Sequence, residues 1–139
     1  MRVVIDTNTL VSFAIRPNRS FEMIFDYIST HGVSLISEDT LAVLATVLSR
    51  NKFRRYIPHD QAEDYVEWYA GMSKQITVTD SVIACRDPKD DKFLALAVLG
   101  KADCILAGDN DLLDMVNFNG IPIYRPAEFI RLFIQSTST

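Results

Sequence analysis

The sequence predicts an α/β fold in which a five-stranded parallel sheet is covered by helices on both faces. Two observations lead there. Short apolar, β-branched runs recur along the chain, with the composition of strands buried on both sides. Longer amphipathic stretches stand between them, so strand and helix alternate, the pattern of parallel sheets. The 139 residues suit one domain with its own core. Residues 1–134 are expected to form it and residues 135–139 to be a polar tail.

"RVVI" (2–5) reads as the first strand, and residues 20–30 as a helix stopped by Gly32. "VSLI" (33–36) is the second strand. Ser37 is a good N-cap, Glu38 and Asp39 suit a first helical turn, and that helix should run to about Ser49. "NKFRRYI" is a basic, partly helical connector. Pro58 and Asp60, with Glu63 three residues after Asp60, open a helix to about Ser73. "QITVT" (75–79) reads as the third strand, "CRDPKDD" as a loop and "DKFLALAVL" as a helix ended by Gly100. "DCILAG" (103–108) is the fourth strand, "DNDLLDM" a helical turn and "IPIY" (121–124) the fifth strand. Pro126 starts the last helix.

Composition excludes several classes. Hydrophobic residues make up 48% and charged residues 23%, an ordinary globular balance. No apolar stretch approaches the roughly 18 residues of a membrane span. Asp6 interrupts the first apolar run too early for a signal peptide, and Cys85 and Cys104 lack metal or redox spacing. A cytoplasmic protein is the expectation. With a net charge of −4, nucleic-acid binding would need a local basic patch.

Asp6 stands at the end of the first strand and Asp109 at the end of the fourth, after Gly108. In a parallel sheet both ends lie on the edge where ligands bind. Asp87, Asp90 and Asp91 lead into the helix before the fourth strand, whose start lies on that edge too. Asp87 before a Pro and Asp109 after a Gly have a plainer reading as turn residues, and Asp90 or Asp91 as a helix cap. Two carboxylates about 4 Å apart, however, repel by up to about 4 kcal/mol at an effective dielectric near 20. A converging set needs protons or a cation. Hard oxygen ligands without His or Cys select Mg²⁺ or Mn²⁺, and such a site suits phosphodiester hydrolysis.

"VVIDTNTLVS", "VLSRNKF", "ACRDPKDDKFLALA", "ADCILAGDNDLL" and "IPIYRPAEFI" occur in this order over nearly the whole chain. In these segments the chain resembles PIN domains, specifically the toxin components of bacterial toxin–antitoxin pairs (VapC-like ribonucleases). The resemblance implies a three-layer α/β/α sandwich and a Mg²⁺- or Mn²⁺-dependent endoribonuclease. It also implies an RNA substrate, a cognate antitoxin protein, a homodimer as a further association, and no membrane. Asp6, Asp90 and Asp109 match three of the family's site acids, as catalytic and metal-binding residues. Asp111, Asn8, Asp91 and Asp39 are the auxiliary candidates.

The chain departs from the family pattern twice. Where the family has a site Glu in the helix after the second strand, this chain has Val43. Leu41, Leu44, Ala45 and Leu48 form the expected buried stripe of that helix, and Val43 lies off it. Asp39 is one turn earlier, about 40° away by helical periodicity. Ala107 replaces a frequent Thr before "GD". The expectation is a ribonuclease weakened at the second-acid position. The alternative is an impaired domain that binds RNA or an antitoxin.

Arg50, Lys52, Arg54 and Arg55, interleaved with Phe53 and Tyr56, could grip phosphates and stack on bases. They equally suit the cationic end of a helix. Tyr65, Trp68, Tyr69 and Met72 recur at helical spacing as core or subunit-contact residues, and neither His31 nor His59 has a second ligand nearby in sequence. A phosphatase using Asp6 as nucleophile would want an acid two residues on, where Asn8 stands.

Overall fold

β1 (Arg2–Ile5) runs through the middle of the sheet, paired in parallel with β2 (Val33–Ile36) on one side and β4 (Cys104–Leu106) on the other. The computed structural model describes residues 1–78, 91–108, 117–118 and 120–135. β3 (Lys74–Gln75) extends the sheet beside β2, and β6 (Ile121–Tyr124) beside β4. The order is β3-β2-β1-β4-β6-β5, in which β5 (Asn117–Phe118) is antiparallel to β6. The five expected parallel strands are therefore present, with one short edge strand added.

Alternation along the strands sorts the core into two layers. Val3, Ile5, Ile36, Cys104 and Leu106 pack on one face with helices α1 (Thr7–Ile15), α2 (Arg19–His31), α3 (Glu38–Leu48) and α4 (His59–Met72). The C-terminal α6 (Pro126–Phe129), continued by a π-helical stretch at Ile130–Ile134, joins that layer through Phe129 and Ile130. Val4, Leu35, Ile105, Ala107 and Ile123 pack on the opposite face against Phe93, Leu94, Leu96 and Ala97 of α5 (Asp91–Leu99). The result is a three-layer α/β/α sandwich. No helix among the described residues is long and apolar enough to cross a membrane.

Several local expectations need correction. α1 was not foreseen. Its buried residues include Thr7 and Thr9 as well as Leu10, Val11, Phe13 and Ala14, which leaves little amphipathic signal. α4 opens at Pro58 as expected, with Pro58 as its N-cap, but no side-chain cap bond forms, so Asp60 and Glu63 make no capping box. β3 begins one residue earlier than expected and is strand only at Lys74 and Gln75, although Ile76 N still donates to Ile36 O at 2.8 Å. β5 escaped notice because it is two residues long and precedes Gly120, whose φ of 80° makes the hairpin turn. In α3 the buried positions are Thr40, Leu44 and Leu48, Leu41 is half-buried, and Ala45 is exposed rather than part of the stripe. The expected helical turn at "DNDLLDM" and residues 136–139 of the tail lie outside the described residues.

Tyr69 is a core residue whose hydroxyl lies 2.5 Å from Ser34 Oγ. The neighbouring Trp68 is 43% exposed and packs on Phe21, Phe25 and Tyr65. Burial pushes the Tyr69 phenol up from 10.0 to about 12, against the opposing hydrogen bond with Ser34. Burial, with Asp103 adding to it, pushes the Cys104 thiol up from 9.0 to about 12. Both groups stay neutral in the fold and ionise more readily once unfolded. Their contribution is complete below about pH 9 and is lost as pH rises toward 12, by up to about 1.4 kcal/mol per pH unit for each group. Urea unfolding between pH 8 and 11 should show this fall, and Cys104→Ala should flatten its first part.

Candidate active site around Asp6

Asp6 follows β1 without a gap and is the N-cap of α1, with φ −73° and ψ 164°. Its backbone N–H donates to Leu106 O at 2.9 Å, carrying the β1–β4 pairing one residue further. The side chain is almost completely buried, at 3% exposed. Burying a carboxylate is costly unless its oxygens are paired. Here Oδ1 accepts from Thr9 N at 2.9 Å, and Oδ2 accepts from Gly108 N at 3.2 Å. The carboxylate thus ties the first turn of α1 to the turn that leaves β4, at the carboxyl edge of the sheet. Hydrogen bonds to a charged group contribute about 1.5–3 kcal/mol each.

Two further groups at this point lack partners. The Oγ1 atoms of Thr7 and Thr9 are buried, in residues 8% and 5% exposed, and neither makes a hydrogen bond. An unpaired buried hydroxyl costs about 1–3 kcal/mol, and in native proteins it points to an ordered water, an ion or a catalytic role. The Thr9 hydroxyl stands against Gly108, which donates to the carboxylate, so the carboxylate and this hydroxyl form a donor set of hard oxygens. It fits a hydrated divalent cation and offers nothing to a soft metal.

Of the sequence-predicted catalytic and auxiliary residues, Asp6, Asn8 and Asp39 have described side chains. Asp90, Asp109 and Asp111 lie outside the described residues; Asp91 opens α5, and its side chain is not described. Among the described residues no three His, Cys, Asp or Glu side chains converge. Asn8 is exposed in the first turn of α1. Asp39 is exposed in the first turn of α3 and lines a cavity of about 150 Å³ with Ser37, Glu38 and residues 75–78. That cavity lies on the β3 side of the sheet, whereas the Asp6 carboxylate is bonded toward β4. Val43 is half-buried on α3, which packs against α1. Ala107 is fully buried in the α5-side core.

The basic connector divides by role. Arg54 turns back onto the end of α3: its Nη2 donates to Leu48 O, and its Nη1 lies 3.3 Å from His59 Nδ1. His59 Nε2 in turn pairs with Glu63 at 3.0 Å. Arg50, Lys52 and Arg55 are exposed, Lys52 over the Phe53 ring and Arg55 over Tyr56. Sequence reasoning missed Thr9 and the bond from Gly108. The signal was present, since a residue three positions after an Asp N-cap is where its oxygen finds a backbone donor.

Comparison with known proteins gives a consistent result. The sequence profile of the PIN domain matches residues 2–111. An uncharacterized protein of Methanocaldococcus jannaschii is 29% identical over 143 aligned positions, covering 96% of this chain and 92% of its own length. Among solved structures, VapBC2 of Rickettsia felis, bound to a DNA fragment from its promoter, matches with a TM-score of 0.67 at 12% identity. That match covers 90% of this chain and 98% of the other. Mycobacterium tuberculosis VapC20, a toxin that cleaves the sarcin-ricin loop, matches with a TM-score of 0.56 at 13% identity, over 86% and 98% of the two chains. At these identities the structures share the fold.

Proposed function

Because the chain belongs to the PIN domain family, we propose that it is a divalent-cation-dependent endoribonuclease, the toxin of a toxin–antitoxin pair, weakened by Val43. The observation that carries this reading is the buried Asp6 carboxylate, fixed by Thr9 and Gly108 at the joint between β1 and β4. Asp6, Asp90 and Asp109 would hold Mg²⁺ or Mn²⁺, with Asp111 in support. The bound ion would neutralise phosphate charge and make water more acidic. The chain's own part is positional. The backbone donors on Asp6 keep its carboxylate from swinging as charge develops, so no reorganisation is needed during the reaction. The fold shared with VapBC2 and VapC20 supports an antitoxin partner and an RNA substrate.

Incubation with single-stranded RNA and with a phosphomonoester, in Mn²⁺ and in EDTA, tests the reaction class. Slow RNA cleavage in Mn²⁺ alone supports it. Turnover of the phosphomonoester with RNA untouched contradicts it. A second reading, a domain that binds RNA or an antitoxin without cutting, draws on the aliphatic, half-buried Val43 in place of an acid.

The connector supplies a separable prediction. Arg55→Ala should leave stability unchanged, weaken RNA binding and reduce the salt slope by roughly one unit for the lost phosphate contact. Arg54→Ala should instead cost about 1 kcal/mol of stability through the lost bond to Leu48 O. Filter binding across a salt series, with urea melts alongside, measures both. An unchanged slope for Arg55→Ala would remove it from the RNA surface.

A further inference from the structure

We propose that the Thr9 hydroxyl is a positioning group of the Asp6 site, hydrogen-bonding the water shell of a divalent cation held at that carboxylate. The inference rests on the cation reading above. Thr9 meets the site through two atoms. Its N–H donates to Asp6 Oδ1 at 2.9 Å. Its Oγ1 stands against Gly108, 3.7 Å from where a Cβ on that glycine would be, and Gly108 N–H is the donor to Asp6 Oδ2. The hydroxyl and the carboxylate therefore face the same turn at the end of β4.

The hydroxyl has no structural employment there. α3 shows what a threonine at this helical position ordinarily does. Thr40, three residues after the Ser37 N-cap, accepts from Ser37 N at 3.0 Å and donates to Ser37 O at 3.3 Å. Thr9 occupies the same position after the Asp6 N-cap. The reciprocal bond is closed to it, because Asp6 N is already donated to Leu106 O in the sheet. Thr9 Oγ1 is left buried and unpartnered beside the carboxylate. Helix formation and packing would be served as well by valine, which has the same shape. A hydroxyl at this position earns its place by bonding something held at Asp6. Mg²⁺ and Mn²⁺ keep several of their waters when protein carboxylates bind them, and those waters need acceptors and donors in the wall.

Melting curves of the full chain over a Mn²⁺ series, for the wild type, Thr9→Val and Thr9→Ser, test the assignment without any activity readout. The wild type should show a saturable rise in melting temperature. Thr9→Val should melt no lower than wild type in EDTA and need about ten times more Mn²⁺ for half of the rise. Thr9→Ser should stay close to wild type. If valine crowds the turn and the variant does not fold, Thr9→Ala takes its place with the same expected Mn²⁺ shift. A Thr9→Val curve that titrates with the wild type overturns the role of the hydroxyl and leaves the cation site standing. A wild type indifferent to Mn²⁺ overturns the cation site and the inference together.

Discussion

Asp6→Asn is expected to abolish the Mn²⁺-induced rise in melting temperature. An ion that binds the folded state alone stabilises it by about 2.7 kcal/mol when present at one hundred times its dissociation constant. For a chain of this length that is a rise of roughly 8 °C. Asparagine removes the charge that holds the ion and leaves one acceptor oxygen where Asp6 has two. Thr9 N or Gly108 N then faces the amide NH₂ instead of an oxygen, at a cost of about 1–3 kcal/mol. Loss of a buried negative charge acts in the opposite direction. These terms offset one another, so the ion-free melting point should move by only a few degrees. The decisive quantity is the difference between melts in Mn²⁺ and in EDTA, which should vanish in the variant. An Asp6→Asn protein that still gains the wild-type increment would place the ion elsewhere.

Val43→Glu is expected to raise ribonuclease activity. Glutamate restores the fourth acid of the family pattern at a half-buried position of α3. The first ion can be held by one or two carboxylates and its waters, so the gain should appear more in turnover than in ion affinity. The half-buried position of Val43 sets the stability cost. Glutamate there keeps a route to solvent, and glutamate is a better helix former than valine. The loss should stay below about 2 kcal/mol, where a fully buried valine would cost more. Urea unfolding of the variant checks this part separately from the assay.

β1, β2 and β6 were legible because each is a short, mostly apolar run too brief for a helix. They fall where the sequence places them. α1 was not legible, because its buried residues include Thr7 and Thr9 as well as Leu10, Val11, Phe13 and Ala14, so polar and apolar residues share the buried face. Its N-cap is also the residue that chemistry singled out, so Asp6 was read for function and not for structure. It serves both, and neither role excludes the other. β3 and β5 are two residues each, shorter than any pattern can register.

The candidate site divides in the same way. That Asp6 lies at the carboxyl edge follows from its place at the end of a buried-type strand, whereas its bond from Gly108 at the end of β4 is a tertiary fact. That Thr9 has an unpaired hydroxyl depends on Asp6 N being committed to Leu106 O, a tertiary fact no local pattern carries. Arg54 illustrates the converse. It reads as one of four equivalent cations in "RNKFRR", and only the fold shows it turned toward Leu48 O. Asp39, one turn from Val43, looked able to replace the missing acid. It lines the cavity beside residues 75–78, on the side of β2 away from β4.

Initial rates of cleavage of a labelled single-stranded RNA in Mn²⁺, for wild type, Val43→Glu and Asp39→Asn, bring the family, the acidic site and its missing member into one experiment. Slow cleavage by the wild type, faster cleavage by Val43→Glu and a wild-type rate for Asp39→Asn are predicted. Robust cleavage by the wild type that Asp39→Asn abolishes would contradict it, and would hand the second-acid role to Asp39.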